Sequence, residues 1–200
     1  MLEDLIISKV RIKLLTVFLT QPGEIFYVRQ LVRELKEEIN AVRRELLRME
    51  KAGMVKKEAR GNRIYYWFSK EYPLFSDLLS LVSKTSGLGS EIVRNKSKIG
   101  KIKYALLSGK FARQLPIAGG EVDLLIVGEV ALNQLAKLIK DEETKVGREI
   151  NYSVMSREEF DFRKKRRDPF LLGILGSSKI MLIGDEEELL ARKDAKTENN

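Results

Sequence analysis

Arg44 and Arg48 stand four residues apart, with Arg43 beside the first and Lys51 three beyond the second. On a helix that spacing gathers their side chains on one side. Arginine's planar fork suits the work, because it meets a guanine edge with two parallel hydrogen bonds or clamps a phosphate. A second basic group follows at Lys56, Lys57, Arg60 and Arg63, the last two flanking Gly61-Asn62. Much later, Glu121 and Asp123 stand two apart. On a strand such carboxylates share a face and can hold divalent metal ions that clamp nucleotide phosphates. Histidine and cysteine are both absent, which excludes Cys/His zinc sites, thiol nucleophiles, His or Cys haem ligands and Ser-His-Asp triads. Any acid–base chemistry falls to carboxylates, Lys or Tyr.

The chain that must position these groups has 200 residues, 44% apolar and 33% charged, enough for one large domain or two small ones. Its formal charge of +8 is unevenly spread: residues 1–70 carry +6, residues 71–120 carry +5 and residues 121–200 carry −3. A basic front joined to a mildly acidic back is expected of a nucleic-acid module fused to something else. The start, Met-Leu-Glu-Asp, lacks the basic opening of a signal peptide, and no apolar run is long enough for a membrane helix. The expected location is the cytoplasm, without membrane contact.

Apolar spacing predicts a helix over 5–19, through Leu5, Ile6, Val10, Leu14, Val17 and Phe18, stopped by Gln21-Pro22-Gly23. A second helix is expected over 28–35. A third begins at Asn40 as N-cap, buries Val42, Leu46 and Met49, and closes at Ala52-Gly53. The period then changes to two over 55–59 and 64–68, with Gly61-Asn62 supplying a tight hairpin turn. Three short helices and a basic-tipped hairpin are the plan of a winged helix-turn-helix. A fourth helix over 72–84 and the stretch Ser86-Gly87-Leu88-Gly89-Ser90 mark a domain boundary.

With Val42, Leu46 and Met49 inward, Arg44, Arg48 and Lys51 face out, and small Ala41 lets the helix start approach a groove closely. Lys56, Lys57, Arg60 and Arg63 would reach phosphates or a minor groove, and Arg29 and Arg33 could touch backbone. A charged face can also be merely solvated, and Glu45 and Glu50 could pair with neighbouring arginines. The run Asn40-Ala41-Val42-Arg43-Arg44-Glu45-Leu46, then Met49-Glu50-Lys51-Ala52-Gly53-Met54-Val55, resembles the recognition helix and wing entry of the ArsR/MarR-like winged-helix regulators. The likeness covers about residues 1–85. Members that sense metals through Cys and His have no counterpart here.

The second half alternates: strands over 102–107, 122–127, 149–155 and 180–183, with helices over 131–139, 158–163, 169–175 and 186–192 and a tail, 193–200, expected to lack structure. Residues 102–128, which read Ile-Lys-Tyr-Ala-Leu-Leu-Ser-Gly-Lys-Phe-Ala-Arg and, from Glu121, Glu-Val-Asp-Leu-Leu-Ile-Val-Gly, resemble the nucleotidyltransferase fold of the DNA polymerase β type in its minimal form. That family places Gly-Ser after its first strand and an Asp pair at the second. Here Gly109 is kept, Lys110 replaces the serine, and Glu121 with Asp123 replaces the Asp pair. The resemblance implies Gly109, Lys110 and Arg113 at a nucleotide and Glu121 and Asp123 at Mg²⁺; for the third carboxylate's place, Glu149 and Asn151 both lie in the right region and neither is assigned. Lys110 could instead pair with Glu121 or Asp123, and the longer Glu121 spoils two-metal geometry, so a catalytically degenerate domain is expected. Ser108-Gly109-Lys110 is not a phosphate-binding P-loop, because Tyr104 and Phe111 break that motif. The run from Arg163 to Arg167 is either a nucleic-acid contact or a solvated helix end.

These readings give an α+β chain with a winged helix over 1–85 and a nucleotidyltransferase-like α/β domain with a mixed sheet over 90–193. The expected function is a homodimeric regulator on double-stranded DNA, its second domain a sensor or a protein-partner module. The alternative is an active Mg²⁺-dependent nucleotidyltransferase targeted by the winged helix. No catalytic residue is assigned.

Overall fold

A computed structural model of the chain describes residues 2–116 and 121–191. The chain divides into two compact units, Met1–Ser90 with Lys110–Pro116, and Glu91–Gly109 with Ile117–Asn200. The fold is α+β.

In the first unit, α1 (Leu2–Leu5) and α2 (Lys9–Thr20) replace the single opening helix read from sequence. Ser8 breaks it: its hydroxyl accepts the Arg11 N–H at 3.2 Å as a side-chain N-cap. Leu5 is left exposed, while Leu14, Leu15, Phe18 and Leu19 are buried. β1 (Phe26–Tyr27) was not expected. It leads directly into α3 (Val28–Leu35), and α4 (Ile39–Lys51) follows. The N-cap of α4 is Glu38 rather than Asn40: its carboxylate accepts the Ala41 N–H at 2.9 Å. β2 (Val55–Arg60) and β3 (Arg63–Phe68) form the hairpin around Gly61, whose φ of +59° suits the turn. β1 adds to β3, so the sheet order is β1-β3-β2 with Phe26 opposite Tyr66. α5 (Phe75–Thr85) packs on α2. Helix, strand, two helices and a two-stranded wing are the winged-helix order. Its core joins Leu14, Phe18, Leu31, Leu46, Met49, Phe68 and Leu79, with Phe18 edge-on to Phe26 at 5.6 Å between ring centres.

The expected boundary stretch is helical. It forms α6 (Gly87–Arg94), because Leu88 and Ile92 lie four apart and are both buried; the division between units falls within it. The second unit continues with α7 (Lys96–Ile99), β4 (Gly100–Ser108), the short α8 (Gly109–Ala112), β5 (Leu124–Val130) and α9 (Leu132–Val146). After these come β6 (Tyr152–Met155), α10 (Arg157–Lys165), α11 (Pro169–Gly176), β7 (Lys179–Ile183) and α12 (Glu186–Leu190). The sheet runs β6-β5-β4-β7, with β5 and β7 antiparallel to β4 and β6 parallel to β5. Consecutive residues of β4 (104–107) and β5 (124–127) are buried, so both faces of these strands are covered. Tyr104, Leu106, Leu125 and Val127 share one face with Phe160 of α10, Leu171 and Leu175 of α11 and Leu189 of α12. Gly128 is required where β4 and β5 cross closely, since a Cβ there would lie 2.3 Å from the Lys101 carbonyl oxygen. Residues 193–200, and Arg192 at the expected end of the last helix, lie outside the described residues. Among the described residues no helix is long and apolar enough to cross a membrane.

Candidate nucleic-acid interface

Helix α4 presents two faces. Val42, Leu46 and Met49 are essentially inaccessible and anchor it in the core, while Asn40, Arg43, Arg44, Leu47, Arg48 and Lys51 are exposed and Ala41 is half-buried. The helix is fixed at its start by Glu38. Backbone hydrogen bonds from Asn40 and Ala41, with a smaller pull from Arg44 and Arg43, hold that carboxyl below its ordinary pKa. Its middle is fixed by Glu45, a buried carboxylate. Glu45 accepts from the Ser8 hydroxyl at 3.2 Å, pairs with Arg11 and lies 3.6 Å from Arg48. Glu45 was expected to meet neighbouring arginines. Arg48 is one, while Arg11, 34 positions earlier, is the partner that ties α4 to α2.

The basic residues divide by their partners. Lys57 pairs with Glu50 at 2.9 Å, Lys56 with Glu71 at 2.7 Å and Arg60 with Glu58 at 2.6 Å. These bonds raise the Lys57 and Arg60 pKa values and lower that of Glu58, each chiefly through the hydrogen bond itself. Lys56, together with the Ser69 hydroxyl, pulls Glu71 down to about 2. Among the described residues, Arg43, Arg44, Lys51 and Arg63 form no ion pair with a carboxylate. Of the candidates on α4 and the wing, they are the ones left open to a polyanion.

Tyr27, which sequence patterning did not single out, joins two elements of this surface. Its hydroxyl accepts from Arg33 of α3 at 3.0 Å, while Arg63 of the wing lies over its ring at 4.9 Å. The Tyr27 ring also meets Tyr65 edge-on, and Arg60 lies over Tyr65 at 5.3 Å. The hairpin shows Arg60, Arg63 and Tyr65 in sequence, but Tyr27 joins them only when β1 pairs with β3.

The residues expected at a nucleotide follow directly on the end of β4. Gly109 belongs to the second unit, where its N–H donates to the Ser178 carbonyl at 2.7 Å, whereas Lys110 and Arg113 group with the first. Asp123 is wholly buried at the mouth of β5, and Glu121 is half-buried. Both Asp123 oxygens are taken: Arg148 donates to each at 3.3 Å, and the Asn151 N–H donates to Oδ2 at 3.0 Å. The cation that meets Asp123 is thus Arg148, not Lys110. A Mg²⁺ ion needs open carboxylate oxygens and room for its waters. Asp123 offers neither, and among the described residues no three acidic side chains gather closely enough to hold a metal. The donor set does not fit the ion that the resemblance implied. No short-range signal marks Arg148, which lies 25 positions from its partner.

No family model matches the chain, and no curated protein matches it. Among solved structures, reduced HlyU from Vibrio cholerae is similar over 42% of this chain and 80% of that chain, at 15% identity and a TM-score of 0.33. The winged-helix description rests on element order and strand register, not on that likeness.

Proposed function

We propose that the chain is a DNA-binding transcriptional regulator that works in the cytoplasm, reading the major groove of double-stranded DNA with α4. One observation carries the reading: Arg43, Arg44 and Lys51 share the exposed face of a helix anchored in a winged-helix core, and among the described residues none of them forms an ion pair with a carboxylate. Asn40 and Ala41 sit at the end of that helix which enters a groove in such domains. Arg63 and Arg60 on the wing, held over tyrosine rings, supply phosphate contacts, with Lys56 and Lys57 in support once their carboxylate partners yield. Arg48, held near Glu45, serves the same face.

The regulator acts as a homodimer, and its half-sites lie about 34 Å apart or a multiple of that. Its dimer surface is formed by the first and fourth expected helices, 5–19 and 72–84, which carry the exposed Leu5, Ile7 and Leu74. The second unit is a nucleotidyltransferase-like sensor or partner domain that does without the metal. Supporting this, the Gly109 turn follows β4 and Asp123 opens the adjacent antiparallel β5, with the Ser108 N–H donating to the Asp123 carbonyl at 2.8 Å. That matches the order of motifs in the resemblance, while the Arg148 pairing removes the ligand on which Mg²⁺-dependent transfer would depend.

The test is duplex binding by fluorescence anisotropy over rising salt. Affinity should fall steeply with salt as phosphate contacts release counterions. Arg44→Ala should weaken specific binding by about 1–3 kcal/mol. A salt-independent interaction, or an Arg44→Ala protein that binds as wild type, would overturn the reading.

A further inference from the structure

Leu47 is 54% exposed in the middle of α4, on the face that carries the cations. At about 100° per residue, its side chain points within roughly 60° of those of Arg43, Arg44 and Lys51. Arg43 and Arg44 lie one turn before it and Lys51 one turn after, so a large apolar side chain sits near the centre of a cationic stripe. Core packing does not account for it, because Val42, Leu46 and Met49 already fill the buried face. Solvation does not either, since every other exposed position on that stripe is polar or charged.

We infer that Leu47 is a base-reading residue that contacts the C5-methyl group of thymine. The inference rests on the DNA reading above and deepens it. Thymine's methyl is the apolar feature that a base pair displays in the major groove, and apolar side chains are what read it. The flanking arginines provide what such a contact needs, since they bind guanine edges or phosphates and hold the helix at a fixed depth. A second protein chain is a poor occupant of this patch, because the cations around Leu47 would be desolvated with it.

The experiment uses the full chain and a duplex selected from random sequence. Each thymine of the selected half-site is replaced in turn by deoxyuridine, which differs only in lacking the methyl. Wild type should lose about fourfold in affinity at one position, the worth of one buried methyl. Leu47→Ala should bind both duplexes equally, and Leu47→Met, which keeps an apolar reach, should retain the discrimination. Circular dichroism checks folding, which the exposed position and the helix preference of alanine should preserve. Arg44→Ala separates the two claims: it should weaken binding while leaving the thymine-to-deoxyuridine ratio in place. If Leu47→Ala keeps the wild-type ratio, or if no methyl in the site matters, Leu47 is not a reader even though DNA binding stands. If Leu47→Ala changes only the oligomeric state, the patch is a protein contact and the inference fails. If wild type binds no duplex, the DNA reading falls and this inference with it.

Discussion

Arg148 donates to both carboxylate oxygens of Asp123, at 3.3 Å each, and Asp123 is wholly buried while the arginine is partly open to solvent. The pair joins the loop before β6 to the mouth of β5, and the Asn151 N–H completes the carboxylate's shell. Removing the arginine would strand a buried charge. Arg148→Ala should therefore destabilise the protein by about 3 kcal/mol, read by chemical denaturation. Asp123→Asn, which keeps an acceptor for the Asn151 N–H, should cost less. Equal stability of Arg148→Ala and wild type would mean that the pair holds nothing together.

Glu45 ties the reading helix to α2 through Ser8 and Arg11. Glu45→Ala should cost about 1.5–3 kcal/mol, the range for hydrogen bonds to a charged group. It should also loosen α4, so that duplex affinity falls more than the loss of stability alone explains. Anisotropy titrations under conditions where the variant remains folded check this. Unchanged affinity would detach Glu45 from the reading surface.

The helix pattern and the hairpin were legible because their signals are local. Val28–Leu35 is a helix as the spacing required, and the Gly61 turn is where Gly-Asn placed it. What escaped depends on partners far along the chain. β1 is two residues long and exists through its pairing with β3, so no periodicity could announce it. The stretch 86–90 was expected as a domain boundary, and that it is also helical was not legible, because its glycines disfavour a helix and only burial of Leu88 and Ile92 overrides that preference. The basic candidates were legible as a group, but which of them are committed to carboxylates was not. Glu71 lies 15 positions from Lys56, and Arg148 lies 25 from Asp123.

Tyr27 positions two cations, Arg33 through its hydroxyl and Arg63 through its ring. Tyr27→Phe should keep the ring contact and most of the duplex affinity. Tyr27→Leu should lose both and flatten the salt dependence by about one phosphate contact. Indistinguishable salt slopes for the three proteins would show that the wing arginines need no support from Tyr27.

Glu71 gives a pH signature. Its folded pKa of about 2 lies below the ordinary value of 4.5, so the unfolded chain takes up the proton more readily. Its contribution to stability is full above the ordinary value and is lost as pH falls from there toward 2. Glu71→Gln should lessen the fall in stability over that interval. At neutral pH the same change releases Lys56 and should strengthen sequence-independent duplex binding. An unaltered pH profile with unaltered affinity would contradict both halves.

The most direct measurement of the central claim is selection of duplexes from a random pool by wild type and by Arg44→Ala. The expected result is a paired, roughly palindromic sequence enriched by wild type, with preference lost at one base pair of each half-site for Arg44→Ala. No enrichment by wild type, or the same enriched sequence with undiminished preference for both proteins, would contradict a reading function for α4.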